Sequence, residues 1–191
     1  VELPTGEAAG ARWGLGWITY DWPGGRVVGH DGATIGQKAF LRVVPAAGVA
    51  VALLTNGGVP SEVYHRLFTE LLTEHAGVAV PVFEPPTEPP AVDVGQYVGS
   101  YLREGYDVEV TERDGVLHLR GESTGELAAI NAMTHVDLVP VQGGLFAARR
   151  NEHEPWAPVA FYTLPDGSPY LHFGMRAAPK STNGHPIRLH P

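Results

Sequence analysis

Five of the ten residues from Pro81 to Pro90 are prolines, and no other stretch limits the fold of this chain so strongly. Each proline fixes its own φ, removes a backbone N–H and pushes the preceding residue out of the helical region. Neither a helix nor an inner strand can run through such a stretch, so 81–90 is expected to be a semi-rigid, extended linker. The chain is thereby divided into residues 1–80 and 91–191, and the two parts carry different patterns.

Residues 13–56 read as an antiparallel meander. An aromatic and aliphatic run from Trp13 to Trp22 ends at the turn Pro23-Gly24-Gly25. Short strands are predicted at Arg26–His30, Gln37–Val44 and Val49–Thr55, the last two joined by Pro45-Ala46-Ala47-Gly48. Val49 to Leu54 is almost continuously apolar, as in a strand covered on both faces. Asn56-Gly57-Gly58 breaks that run, and Pro60 suits the first turn of a helix. From Ser61 to His75, Val63, Tyr64, Leu67, Phe68, Leu71 and Leu72 recur at helical spacing and predict an amphipathic helix lying on the meander.

Beyond the linker no helical period appears. Alternating runs predict eight short strands at Val98–Arg103, Tyr106–Thr111, Val116–Arg120, Glu126–Asn131, Val136–Val139, Gly144–Ala148, Val159–Leu164 and Tyr170–Gly174. Asp114-Gly115 and Asp166-Gly167 are strong hairpin signals. Such spacing points to an antiparallel barrel or sandwich, with the barrel preferred.

Composition narrows the function classes. A chain that is 43% hydrophobic and 18% charged has the make-up of a folded domain rather than a disordered one. The net charge of −8 argues against nucleic acid and anionic membrane surfaces as partners, since both attract basic patches. With no cysteine, disulfides, thiol catalysis and zinc–thiolate sites are excluded. No run approaches the roughly 20 apolar residues of a membrane span. Val1–Glu7 has neither the basic nor the apolar region of a signal peptide, and no methionine begins the chain. A piece of a longer or processed protein is therefore expected. Abundant Gly, Ala and Pro hint at a high-GC bacterial source.

Chemistry is concentrated in Val27–Gly36, a glycine-punctuated stretch read as a turn between two apolar runs with His30 and Asp31 at its mouth. By residue type alone, a histidine at a strand end is more often structural than catalytic. Gly29 and Gly32 change that balance, because they let the backbone approach a ligand closely. Amides that follow could then face a developing negative charge.

Trp13-Gly14-Leu15-Gly16-Trp17, Gly29-His30-Asp31-Gly32, Gly36, Pro45 and Leu53-Leu54-Thr55-Asn56 together resemble the C-terminal part of the serine β-lactamase and penicillin-binding-protein superfamily. The group most similar is that of class C-like esterases, D-aminopeptidases and related peptidases. His30-Asp31-Gly32 matches the His-x-Gly form of that family's third motif. The resemblance implies that His30 polarises the site or orients substrate, and that Gly32 lets the Ala33 N–H serve as half of an oxyanion hole. It implies substrate contacts for Asp31 and Thr34. It also implies an α/β (α+β) architecture, an antiparallel sheet with a C-terminal helix followed by an all-β, lipocalin-like barrel. No metal or organic cofactor is implied. The reaction would be acyl transfer to serine and then hydrolysis of an ester, a D-amino-acid peptide or a β-lactam. An extracytoplasmic home for the full protein would suit the family, although the sequence leaves the compartment open.

The family's nucleophile stands in Ser-x-x-Lys, and none of Ser61, Ser100, Ser123, Ser168 and Ser181 is followed by Lys at the third position. Ser181-Thr182-Asn183 copies the second motif, Ser-x-Asn, but lies after the barrel strands and is read as chance. The N-terminal catalytic half is thus the partner expected, in the same precursor or another chain, with a small-molecule or peptide substrate between them. Residues 13–56 should then expose a sheet face and an edge that need cover. The competing reading is a non-catalytic barrel that binds a small apolar ligand, with residues 1–80 as scaffold. Asn151-Glu152-His153-Glu154 lacks a second ligand at metal spacing and reads as a polar loop. His118 and His172 support no metal site, and Tyr97, Tyr101 and Tyr106 read as core or as the lining of a barrel mouth.

Overall fold

The computed structural model describes residues 11–34, 36–58, 60–130, 133–152, 154–173 and 176–182. They form two compact units, the first reaching to Phe83 and the second built from most of the remainder. Together they make an α+β chain in which every strand pairing is antiparallel. Among the described residues no helix is long and apolar enough to cross a membrane.

The first unit is a meander of β1 (Arg12–Trp13), β2 (Ile18–Trp22), β3 (Gly25–Thr34), β4 (Gln37–Val44) and β5 (Val49–Thr55), in that spatial order. The Val27–Gly36 stretch is no turn up to Thr34. β3 continues through it, with His30 opposite Leu41, Gly32 opposite Ala39 and Thr34 opposite Gln37. Gly29 and Gly32 are strand residues, and the reversal comes only after Thr34, where Gly36 has φ 76°. Pro45–Ala47 form a 3-10 turn that ends on Gly48 in the left-handed region.

α1 (Ser61–Ala76) begins after Pro60, whose carbonyl accepts the Tyr64 N–H at 2.8 Å. It stops at Gly77, where a left-handed φ lets two N–H groups reach back, Gly77 to Thr73 O and Val78 to Leu72 O. The buried stripe is Tyr64, Phe68 and Leu72, narrower than the sequence spacing suggests, and Val63 lies half-exposed. Tyr64 stacks on Phe40 of β4 at 4.7 Å and meets Phe68 at 4.5 Å. Burial of Phe68 and Leu72 contributes about 2 kcal/mol each and fixes α1 to one face of the sheet.

Cover stops at that face. On β5 Val51 is buried, while Ala50, Ala52 and Leu54 on the opposite face are exposed, Leu54 at 79%. The apolar run of β5 is written for two covered faces, and among the described residues of its unit only one is covered.

The second unit is an up-and-down barrel of β6 (Gly99–Arg103), β7 (Tyr106–Arg113), β8 (Val116–Ser123), β9 (Thr134–Gln142), β10 (Leu145–Ala148), β11 (Ala157–Thr163), β12 (Pro169–Phe173) and β13 (Arg176–Pro179). Each strand pairs with its sequence neighbours, and the Tyr101–Lys180 bridge with the Ser181 N–H to Ser100 O bond brings the two ends together. The strand reading needs correction at two places. Glu126 falls in a 3-10 segment, Gly125–Ile130, rather than a strand, and Asn131 lies outside the described residues. β13 was not predicted, because Arg-Ala-Ala-Pro lacks the β-branched and aromatic residues that mark strands. It forms by pairing with β12 where the barrel closes. Asp114 and Gly115 both take positive φ, as a two-residue I′ turn requires.

Side chains occupy the barrel interior. Tyr101, Val110, Leu119, Phe146, Phe161 and Leu171 belong to one buried cluster, and Tyr97 packs on it against Phe146 and Phe161. The Tyr101 hydroxyl donates to Tyr97 O at 2.8 Å, and the Tyr106 hydroxyl donates to Thr134 Oγ1 at 3.0 Å. The three tyrosines are therefore structural, and this packed interior gives the small-ligand reading of the barrel no support.

Candidate active site

Strand alternation sorts the Gly29–Thr34 residues onto two faces. Asp31 pairs with Phe40 and Gly29 with Arg42, so these and Ala33 belong to the face that α1 covers. His30, Gly32 and Thr34 belong to the other face, beside Leu41, Ala39 and Leu54. That second face is open, and His30, Gly32 and Thr34 are all exposed on it. Gly32, Ala33, Thr34, Ala39, Leu54 and Asn56 help line a depression of about 520 Å³ at this end of the sheet.

One edge is open too. β2 pairs with β3 only between Gly25 and Gly29, and from His30 onward no strand lies on that side among the described residues. In an antiparallel ladder alternate residues turn their N–H and C=O groups toward opposite edges. Part of the backbone of His30–Thr34 thus presents hydrogen-bonding groups to whatever lies beside it, and glycine at 32 keeps that approach clear.

Asp31, expected beside substrate, is engaged elsewhere. Both its oxygens are held by Arg42, Oδ1 by Nη1 at 2.6 Å and Oδ2 by Nη2 at 3.0 Å. Arg42 is the one charged residue counted among the buried polar groups of the described chain, at 1% exposure. Its guanidinium lies 5.0 Å from the Tyr20 ring, 5.3 Å from Tyr64 and 5.8 Å from Trp22, and Nη1 also donates to Leu41 O. Burial works against the charge, but the Asp31 hydrogen bonds and the fields of Tyr64 and Asp31 outweigh it and lift the guanidinium above its ordinary pKa. Arg42 went unnoticed in the sequence. The signal was there, since it is a charge at the buried parity of a strand that otherwise reads Phe40-Leu41-x-Val43-Val44.

Other sequence candidates lie away from this place. His118 Nδ1 is 2.7 Å from Asp137 Oδ1 on the outside of the barrel. His172 sits on β12, where burial pushes its pKa down. Asn151, Glu152 and Glu154 are loop residues, while His153 and Asn183 lie outside the described residues. Among the described residues no three His, Asp or Glu side chains gather as a metal ion would need.

The profile of the family described as Beta-lactamase matches residues 3–76. That segment belongs to the serine β-lactamase and penicillin-binding-protein superfamily. Over 104 residues the chain is 53% identical to penicillin-binding protein 4 of Amycolatopsis lactamdurans, a match covering 54% of this chain and 27% of that protein. SurE crystallised with D-Leu superposes with a TM-score of 0.61 at 29% identity, over 93% of this chain and 40% of SurE. A second SurE structure gives 0.60 at 28% identity, again over 93% of this chain. These likenesses reach well beyond the β-lactamase-family segment, so the barrel unit is shared with SurE as well. The chain spans about two-fifths of the SurE chains it matches.

Proposed function

We propose that this chain forms one wall of a serine acyl-transfer site. His30 polarises the site or orients substrate, and the Ala33 N–H stands as one oxyanion donor, with Gly32 and Thr34 beside the bound group. The single observation that carries this reading is the end of β3, where a His-x-Gly segment of a β-lactamase-family sheet has, among the described residues, an exposed face and an edge with no strand beside it. An oxyanion donor of this kind contributes roughly 3–4 kcal/mol to the transition state. Asp31 is assigned a supporting place behind the strand rather than a substrate contact, since Arg42 holds its carboxylate.

The reaction proposed is attack of a serine hydroxyl on a carbonyl carbon, loss of the leaving group to give an acyl-serine, and hydrolysis of that ester by water. The 191 residues hold no Ser-x-x-Lys, so the nucleophile comes from the remaining part of the protein. Esters, D-amino-acid peptides and β-lactams are the substrate classes considered. The D-Leu held by SurE favours the second of these. The barrel is proposed as a lipocalin-like module in topology only, its filled interior leaving it a structural or substrate-restricting part.

Acylation tests the reading. The full-length protein is incubated with a D-amino-acid p-nitrophenyl ester or a chromogenic cephalosporin, and acyl-serine is sought by intact mass. A mass increment on a serine outside these 191 residues supports it. Turnover by this chain alone, lost in His30→Ala, would place the nucleophile within the chain and sink it.

A further inference from the structure

We propose that Arg42 is a positioning residue of the candidate active site, which through Asp31 fixes the end of β3 that carries His30 and the Ala33 amide. The proposal rests on the acyl-transfer reading above for its catalytic consequence, and on packing alone for its structural one.

Among the described residues β4 is the one strand paired with β3 from His30 to Thr34, and glycines stand at 29 and 32. A strand end of that kind is soft, because glycine has more backbone freedom to lose than any other residue. Catalytic donors, in contrast, must be held before substrate arrives, since a misplacement of about 1 Å costs on the order of a hundredfold in rate. Something has to stiffen this segment. Asp31 lies between His30 and Gly32 in the chain, on the opposite face from both. Its carboxylate is gripped at two points by Arg42. With its Cβ direction set, the backbone on either side is set too, and with it the aim of His30 and of the amides that follow.

The grip transmits nothing unless Arg42 is itself immobile. It is fully buried, walled by the rings of Tyr20, Trp22 and Tyr64, and tied to Leu41 O. Its route to Asp31 passes over Gly29, where a Cβ would come within 3.0 Å of Arg42 Cδ and 3.2 Å of Nη1. Gly-His-Asp-Gly thus contains its own explanation. Gly29 gives the guanidinium passage, Asp31 receives it, and His30 and Gly32 face the site. Only arginine fits this place, because its planar fork binds both carboxylate oxygens and stacks on aromatic rings, whereas lysine offers a point charge.

The test uses the full-length protein with Arg42→Lys, Asp31→Asn and the double variant, and Asp21→Asn as a surface control. Each is measured for kcat and KM on the ester, for amide exchange by mass spectrometry, and for Tm. Each single variant is expected to lower kcat by about tenfold or more with KM within about threefold, and to speed exchange across 30–34 while α1 stays protected. The double variant is expected to fall no further than either single one. An undiminished kcat in either variant, or unchanged exchange across 30–34, overturns the proposal. So does a loss of kcat that follows loss of protection throughout the unit and recovers on cooling, which marks general destabilisation. If the wild-type protein neither acylates nor turns over the ester, the hydrolase reading has failed. The clamp then stands or falls on the exchange data, retained by local loss of protection and overturned by its absence.

Discussion

Gly29 and Arg42 face each other across β3 and β4, and the arginine side chain runs through the space that any larger residue at 29 would need. A methyl group there would also collide with Leu41 O. Gly29→Ala is therefore an overpacking change with backbone on one side and a pinned guanidinium on the other. It is expected to cost about 2–3 kcal/mol, read as a lower urea midpoint.

Removing the partner exposes how the pair is balanced. Asp31→Ala leaves a buried guanidinium without its carboxylate. Full burial of both partners would make that loss about 3–5 kcal/mol, and the half-exposed aspartate reduces it to roughly 2 kcal/mol. Asp31→Ala with Arg42→Met should recover most of this, because an apolar chain of similar length fills the same aromatic slot. Chemical denaturation of the three proteins measures it. A double variant as unstable as Asp31→Ala would place the cost in packing rather than in the orphaned charge.

His30 carries the opposite expectation. It is exposed in this chain, so His30→Ala should leave the melting temperature of the isolated chain within about 2 °C, a surface change of roughly 0.5 kcal/mol or less. The kcat/KM of the full-length protein on an ester should fall by about a hundredfold or more. A large fall in Tm with little change in rate would return His30 to a structural role.

The meander, the helix and most barrel strands were legible because their signals are local. Alternation, Asp-Gly turns and the Tyr64-Phe68-Leu72 spacing each act within a few residues. Arg42 with Asp31 was not legible, since eleven residues separate them and only the β3–β4 register shows that they share a face. β13 escaped for a related reason. Arg176–Pro179 has no strand propensity of its own and is fixed by pairing with β12 and by closure onto β6. The motif at His30-Asp31-Gly32 could be found from sequence. The placing of His30 and Asp31 on opposite faces of the sheet, with Asp31 held by Arg42, could not.

Leu54 tests whether the bare sheet face is covered in the whole protein. At 79% exposure it makes few contacts in this chain, so Leu54→Glu should change the stability of the isolated chain by no more than about 0.5 kcal/mol. Under the proposed function, the nucleophile-bearing part packs near this face. A carboxylate buried there without a partner costs several kcal/mol, and the full-length variant should lose soluble yield or acylation. Equal tolerance in both proteins would show that Leu54 faces water in each.

Asp107 offers a pH test in the barrel. It stands directly opposite Glu122 on the outward side of β7 and β8, and its pKa is raised, first by desolvation and then by that neighbour. The folded state therefore keeps its proton to higher pH than the unfolded chain, whose carboxyl titrates near the ordinary value of about 3.9. Between those two values the folded state binds more protons, so stability falls as pH rises through the window. Arg120 donates to Glu122 at 3.2 Å and offsets part of the repulsion. Asp107→Asn should consequently stabilise the protein at pH 7 by roughly 0.5 kcal/mol, in line with like charges facing across strands. That gain should shrink toward zero below about pH 3.5, where the wild-type carboxyl is protonated in both states. Urea midpoints of the two proteins from pH 3 to pH 7, compared at each pH, measure the difference. A gain independent of pH would assign it to strand propensity rather than to charge.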